Sequence, residues 1–143
     1  MIMCDFCALS PTQRRGILRK FRRFLKPGGS VLFDVYSMAA FEQREEAATY
    51  EVNLLNGFWS PNKYHGFLNT FKYYKEKVAL DKYTIVEAQR TRTVYNWLQY
   101  FALEDLDREL VEAGFSIEGV YSDVAGTPYD RNSNEFAVIA KKA

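Results

Sequence analysis

The sequence predicts an α/β fold, and three observations support that prediction. Residues 25–37, LKPGGSVLFDVYS, have the pattern of a helix end, a Pro-Gly-Gly turn and a strand buried on both faces. Residues 103–115 have helical spacing and precede two further strands. Between these parts, from about residue 48 to 101, Tyr, Phe, Val and Thr dominate, which predicts an antiparallel β insertion of three or four strands.

The N-terminal elements are predicted from capping and periodicity. Residues 1–5 are apolar enough to be a strand, although a short one. Ser10 and Gln13 have the spacing of a capping box around Pro11, so a helix is predicted over residues 11–26. Its apolar positions recur on one face: Ile17, Leu18, Phe21, Phe24 and Leu25.

The remaining elements follow in order along the chain. A strand is predicted at 30–36, and Ser37 can cap a short second helix. After the insertion, a helix over 102–113 ends at Gly114, and strands follow near 115–122 and 134–141.

Length and composition are those of one globular domain. The 143 residues contain no apolar run near the ~20 residues of a membrane span, and no signal-peptide pattern begins the chain. We therefore expect a single domain over 1–143, a cytoplasmic location and no membrane partner.

The net charge of +1 conceals a basic helix. Residues 1–29 contain seven Lys and Arg residues against Asp5 alone. Such a stripe is compatible with nucleic-acid binding, but a solvated helix face or an acidic partner is the simpler interpretation, so no nucleic-acid partner is predicted.

Three potential ligands for a metal do not form a recognisable site. Cys4 and Cys7 form a C-x-x-C pair, and His65 is the only histidine. Zinc sites usually have four ligands, so no metal is predicted and buried thiols are expected. His65 is expected in an exposed loop.

Aromatic residues with polar groups are the best candidates for a small-molecule pocket. Tyr36 and Asp34 end a buried strand, where open α/β sheets bind ligands, although Asp34 suits a structural role equally well. Tyr129 and Asp130 can orient or deprotonate a nucleophile. The further pocket candidates are Phe58, Trp59, Tyr95, Asn96, Trp97 and Tyr100, and packing in a sheet core is the alternative for all of them.

Together these motifs resemble a known family. CDFCALSP at 4–11, LKPGG at 25–29, SVLFDVYS at 30–37 and LVEAGF at 110–115 are similar, in this order, to the C-terminal half of class I S-adenosylmethionine-dependent methyltransferases. The resemblance implies a partial Rossmann-like sheet in the order 4-5-7-6 in the family's strand numbering, with the last strand antiparallel. Residues 1–5 would be strand 4, paired in parallel with 30–36.

The resemblance also implies roles for particular residues. Cys4, Asp5 and Phe6 would border the cofactor, with Asp5, Tyr129 and Asp130 as catalytic residues. Tyr36, Phe58, Trp59, Asn96 and Trp97 would contact the substrate. The family binds its cofactor through a glycine-rich turn, yet this sequence contains no G-x-G motif.

The expected function is therefore that of a methyltransferase fragment acting on a small molecule, with weak or no S-adenosylmethionine binding by this chain alone. A non-catalytic ligand-binding or protein-interaction module is the alternative. Expected partners are a separate N-terminal methyltransferase half, or a second copy joined through the free edge of strand 4.

Overall fold

A computed structural model describes all 143 residues, which divide into two compact units. Met1–Gln43 and Gln99–Ala143 form the first unit, and Arg44–Leu98 form the second. The boundaries of the second unit lie close to those predicted for the β-rich insertion.

The first unit contains a three-stranded antiparallel sheet and three α-helices. A short 3-10 helix (Asp5–Ala8) precedes α1 (Pro11–Phe24), and β1 (Ser30–Tyr36) leads into α2 (Met38–Gln43). After the second unit come α3 (Leu103–Glu112), β6 (Phe115–Tyr121) and β7 (Glu135–Lys142). The strand order is β1-β7-β6, with β7 antiparallel to both neighbours.

The capping signals predicted from the sequence are confirmed at α1. The Ser10 side chain accepts the Gln13 amide, and the Gln13 side chain accepts the Ser10 amide. The helix ends at Phe24, two residues before the predicted end, because Leu25 is already extended. The α3 bounds likewise fall one residue inside the predicted ones at each end.

One face of the sheet carries the apolar core of this unit. In the register of β1 and β7, Phe33 lies opposite Val138 and Val35 opposite Phe136, and all four are buried. Further fully buried side chains come from the helices and from the segments that flank them: Phe6, Leu18, Phe101, Leu106, Leu110 and Phe115.

The prediction of a parallel strand at residues 1–5 is wrong. Met3 and Cys4 have φ angles of 63° and 55°, which turn the chain into the 3-10 helix instead of extending it. The amides of both residues donate to the Asp34 carboxylate, so a side chain takes the place of a strand partner. Of the predicted strand order 4-5-7-6, strand 4 is absent, and strands 5, 7 and 6 correspond to β1, β7 and β6.

The second unit is a four-stranded sheet in the order β2-β3-β4-β5. Its strands are β2 (Ala47–Val52), β3 (His65–Tyr73), β4 (Val78–Val86) and β5 (Thr91–Gln99), the last reaching one residue beyond the unit. Leu54, Tyr64 and Ile85 form its small core, with Trp59, Leu68 and Tyr83 packed against it. His65 begins a strand instead of lying in a loop, and its Nδ1 is 2.7 Å from the Tyr50 hydroxyl.

An ion pair between a buried arginine and a partly exposed glutamate joins α1 to α3 in the first unit. The Arg14 side chain is 3% exposed and donates from two nitrogens to Glu109, at 2.9 and 2.7 Å. A third nitrogen donates to the Leu9 carbonyl at 2.8 Å. The guanidinium also lies over the rings of Phe6 and Phe101.

We expect Arg14→Leu to lower the free energy of unfolding by about 3 kcal/mol, because it leaves the Glu109 carboxylate without its partner. The double variant Arg14→Leu/Glu109→Leu should recover part of this loss, since it removes both charges. Urea denaturation measures each value. Arg15→Leu, one residue away and exposed, is the control and should change stability by less than about 0.5 kcal/mol. A loss below about 1 kcal/mol for Arg14→Leu would contradict this role.

Candidate functional site

The first unit has a cavity at the carboxyl end of β1. Tyr36 lies opposite Glu135 and Asp34 opposite Ala137 in the ladder, so Asp34, Tyr36 and Glu135 point to the same face of the sheet. This face is opposite to the one that carries the apolar core. The cavity is about 350 Å³ and is lined by Ile2, Met3, Cys4, Asp34, Tyr36, Val124 and Glu135.

Asp34 fixes the wall that the N-terminal residues contribute. Its carboxylate is buried, with Oδ2 accepting the Met3 amide at 3.0 Å and Oδ1 accepting the Cys4 amide at 2.9 Å. Both bonds are charge-assisted, so they stabilise the left-handed turn at Met3 and Cys4. Asp34 therefore has the structural role that the sequence left open, while still lining the cavity.

The two cysteines are buried and free. Cys4 Sγ donates to Glu135 Oε2 at 3.6 Å, and Cys7 Sγ accepts the Tyr36 amide at 3.2 Å. Hydrogen bonding to Cys7, burial and the nearby Asp34 and Glu135 charges all raise the pKa of Cys4. The Cys4 thiol is therefore protonated at neutral pH, which opposes a nucleophilic or redox role.

A possible ligand set for a cation lies in this cavity. Cys4 Sγ and carboxylate oxygens of Asp34 and Glu135 all lie within 4.8 Å of one another. A metal would have to displace the Cys4 proton, and both Asp34 oxygens already accept amide hydrogens. We assign no metal to the cluster.

Tyr36 supplies a neutral hydroxyl at the edge of the cavity. Its ring centroid is 5.6 Å from that of Tyr100, and burial, more than any neighbouring charge, raises its pKa. The phenol therefore acts as a hydrogen-bonding group at neutral pH.

The remaining predicted cofactor residues differ in accessibility. Asp5 is exposed at the first position of the 3-10 helix. Phe6 is fully buried, with its ring centroid 4.8 Å from Phe33 and 5.9 Å from Phe101. Only the backbone of Phe6 is thus available to a ligand.

A second cleft lies in the same unit and contains Tyr129. It is about 380 Å³ and is lined by Ser37, Met38, Phe101, Ala102, Leu103, Glu104, Tyr129, Arg131 and Phe136. The exposed Tyr129 ring meets Phe136 edge-on at 6.1 Å. Asp130 is exposed beside it, and its Oδ1 accepts the Asn132 amide in a turn, which leaves Oδ2 without a hydrogen bond within the chain.

The other predicted substrate residues lie in the second unit. Trp59 packs on Tyr83 at 4.9 Å and carries Phe58 edge-on at 5.0 Å, and Phe58 is 73% exposed. Trp97 is half exposed beside Tyr73, whereas Asn96, the preceding residue of β5, is less exposed. Trp59 is mainly a packing residue, and Trp97 belongs to an exposed aromatic face.

The structure therefore brings together Cys4, Asp34 and Tyr36 among the residues considered from the sequence, and it adds Glu135. Glu135 was not predicted as a site residue. The signal that would have found it is strand direction: when the last strand runs antiparallel to β1, its first residue, Glu135, lies beside the last residue of β1, Tyr36.

Comparisons with known proteins were made for the whole chain. No family model matches it, and neither does any curated protein. Solved structures do match. The CcbJ methyltransferase from Streptomyces caelestis aligns with a TM-score of 0.70 at 16% identity, over 99% of this chain and 55% of that one.

Two further matches are of the same kind. An S-adenosylmethionine-dependent methyltransferase from Clostridium acetobutylicum aligns with a TM-score of 0.70 at 9% identity, covering 99% of this chain and 56% of that one. The glycopeptide N-methyltransferase MtfA, complexed with S-adenosylmethionine, aligns with a TM-score of 0.52 at 20% identity, covering 99% of this chain and 55% of that one.

The chain has a methyltransferase fold. The resemblance seen in the sequence is thereby confirmed at the level of the fold. The Clostridium acetobutylicum protein is S-adenosylmethionine-dependent, and the MtfA structure contains S-adenosylmethionine. The chain spans about half the length of these methyltransferases. No helix in it is both long and apolar enough to cross a membrane.

The protonated Cys4 thiol of this methyltransferase fold predicts a pH dependence. Above the ordinary thiol pKa of about 8.5, the unfolded chain loses the Cys4 proton and the folded chain keeps it. The unfolded state then binds fewer protons, so the free energy of unfolding should fall by up to about 1.4 kcal/mol per pH unit from this group.

Urea denaturation of the natural protein and of Cys4→Ser between pH 7 and pH 10.5 measures this dependence. Serine does not titrate in that range, so any stability advantage of the natural protein over Cys4→Ser should shrink as the pH rises. Parallel curves for the two proteins would show that the Cys4 pKa is not raised.

Proposed function

We propose that this chain forms the substrate-side part of an S-adenosylmethionine-dependent methyltransferase that acts on a small-molecule acceptor. The observation that supports the proposal best is the acidic cavity at the carboxyl end of β1, in a chain whose fold is that of methyltransferases. Ligands of open α/β sheets bind at the carboxyl ends of strands. The nearby Tyr129 cleft adds a surface of small-molecule size in the same unit.

The cavity fits one end of the cofactor. Glu135 supplies a carboxylate and Tyr36 a hydroxyl, which suit a cationic group such as an amino group. We propose that Cys4, Asp5 and Phe6 line this end, Phe6 through its backbone. The sequence contains no glycine-rich turn of the G-x-G type for the remainder of the cofactor. When bound, the cofactor supplies a methyl group on a positively charged sulfur.

The residues of this chain would position and deprotonate the acceptor. Asp130 is exposed and keeps one carboxylate oxygen for an acceptor hydroxyl or amine, and Tyr129 has an exposed ring beside it. Asp5 is a second exposed carboxylate. Holding the acceptor in line supplies much of the rate in such a transfer, and removal of its proton is the smaller contribution.

The acceptor-binding surface is proposed to include Tyr36 of the first unit. In the second unit, taken by itself, the aromatic and amide side chains of Phe58, Trp59, Asn96 and Trp97 stay predicted substrate contacts. Phe58 and Trp97 are exposed and available for contact. The indole nitrogen of Trp59 is buried and has no hydrogen-bond partner, so Trp59 would contact a ligand through its ring edge.

A second candidate function, that of a non-catalytic binding or interaction module, is favoured by one observation. The exposed face of β3 carries Phe67, Phe71 and Tyr73, and Tyr50 and Trp97 contact this row from β2 and β5. Exposed aromatic rows of this kind mark interaction surfaces.

Self-association stays a prediction, but a dimer through the edge of strand 4 loses its basis because residues 1–5 form no strand.

We expect the isolated chain to bind S-adenosylhomocysteine in the millimolar range, roughly −4 kcal/mol, because only one wall of the site is present. NMR titration should shift the amides of Cys4, Tyr36 and Glu135. Glu135→Gln should weaken binding several-fold, about 1 kcal/mol, by removing a charge that faces the ligand. Glu51→Gln, exposed in the second unit, is the control.

Shifts absent from these amides at 10 mM ligand, a concentration about tenfold above the expected dissociation constant, would overturn the proposed cofactor wall. Micromolar affinity would show that the chain builds a complete site.

Methyl transfer separates the enzyme from the binding module. Adding a methyltransferase segment that carries the glycine-rich turn should restore cofactor binding. In that mixture we expect Asp5→Asn and Tyr129→Phe to lower the transfer rate by about 10²-fold or more, and to lower cofactor affinity by clearly less than that. Equal losses in rate and affinity would contradict the catalytic roles, and restored binding without transfer to any acceptor would favour the module. Arg108→Gln, exposed on α3, is the control.

A further inference from the structure

A basic groove lies in the first unit where the C-terminal ends of α1 and α3 meet. It is about 780 Å³ and is lined by Arg15, Arg19, Arg22, Arg23, Glu109, Val111, Glu112, Ala113, Gly114 and Lys142. We call it the α1–α3 groove. It uses neither the residues of the acidic cavity nor those of the Tyr129 cleft.

The positive charge of the α1–α3 groove is not neutralised within the protein. No carboxylate lies within ion-pair distance of Arg19, Arg22 or Arg23. Glu109 is already held by two hydrogen bonds from Arg14, which leaves Glu112 as the one other carboxylate of the lining. Each helix C-terminus contributes about half a negative charge, which is small against five cationic side chains.

Two of these cations are placed by the surrounding structure. Lys142 Nζ donates to the Leu25 carbonyl at 2.9 Å. Arg22 lies against Gly114 so closely that a Cβ there would stand 2.5 Å from its Nε. Gly114 also has a φ angle of +82°, which favours glycine at this helix end. The missing side chain also leaves space for the Arg22 side chain.

The shape and lining of the groove select among anionic ligands. Its volume is that of a small-molecule site. No aromatic side chain lines it, and single-stranded nucleic acids are held largely by stacking of bases on aromatic rings. Its apolar lining is limited to Val111 and Ala113, which offers no pocket for the side chains of an acidic peptide.

We propose that the α1–α3 groove binds a small molecule that carries two or more linked phosphoryl groups. Arginine presents a planar fork that matches phosphate oxygens in pairs. With a rise of about 1.5 Å per residue, Arg15 and Arg22 are separated by about 10 Å along α1, so one phosphoryl group does not span both. This site is independent of the proposed methyltransferase function.

The test is calorimetric titration of the full chain with inorganic tripolyphosphate and with orthophosphate at one fixed ionic strength. Tripolyphosphate should bind at least about tenfold more tightly, because it engages several arginines at once. Arg19→Gln/Arg22→Gln should weaken its binding about tenfold or more. Lys20→Gln/Lys26→Gln removes the same charge from exposed positions in or just after α1, outside the groove, and should weaken binding less than about threefold.

The other outcomes overturn the proposal. Equal weakening by the two double variants would show a diffuse field and no site. Absence of tripolyphosphate binding would show that the groove is not a phosphate site. Tighter binding of a single-stranded RNA oligonucleotide than of tripolyphosphate, lost in the arginine variant, would assign the groove to nucleic acid. Thermal unfolding without ligand checks the fold of each variant, and Arg23→Gln serves if the double variant is unfolded.

Discussion

The first unit depends on one buried cation. Arg14 is enclosed between the rings of Phe6 and Phe101, and it donates to Glu109 and to the Leu9 carbonyl. A guanidinium can be buried only if its donors are satisfied, and here the partners come from the N-terminal segment and from α3. Residues almost a hundred positions apart are thereby fixed against one another, and their arrangement sets the geometry around them.

The candidate site is a consequence of that arrangement. Phe6 lies in the core under Arg14, so the chain just before it must pass the edge of β1. There Asp34 accepts the amides of Met3 and Cys4, and the turn closes one wall of the acidic cavity. Hydrogen bonding to Cys7, burial and the neighbouring carboxylates raise the pKa of Cys4, so the thiol in this wall is protonated at neutral pH. The cavity is therefore suited to binding and orientation.

The charges of the first unit are segregated between two separate surfaces. The cavity beside β1 collects Asp34 and Glu135, whereas the groove at the ends of α1 and α3 collects arginines. A net charge near zero conceals this separation. Charges held on different surfaces favour different ligands: cationic groups at the acidic cavity and anionic groups at the α1–α3 groove.

Local patterns in the sequence determined the capping box at Ser10, the helices, the β-rich second unit and the two C-terminal strands, because each depends on residues within one or two turns. The tertiary structure alone decided the rest. Residues 1–5 read as a strand, yet a carboxylate 30 positions away bends them into a turn. Glu135 joins the site only through its pairing with Tyr36, and the α1–α3 groove forms where residues of α1, the end of α3 and Lys142 come together. These features are contacts between distant residues, and periodicity carries no information about which distant residues will meet.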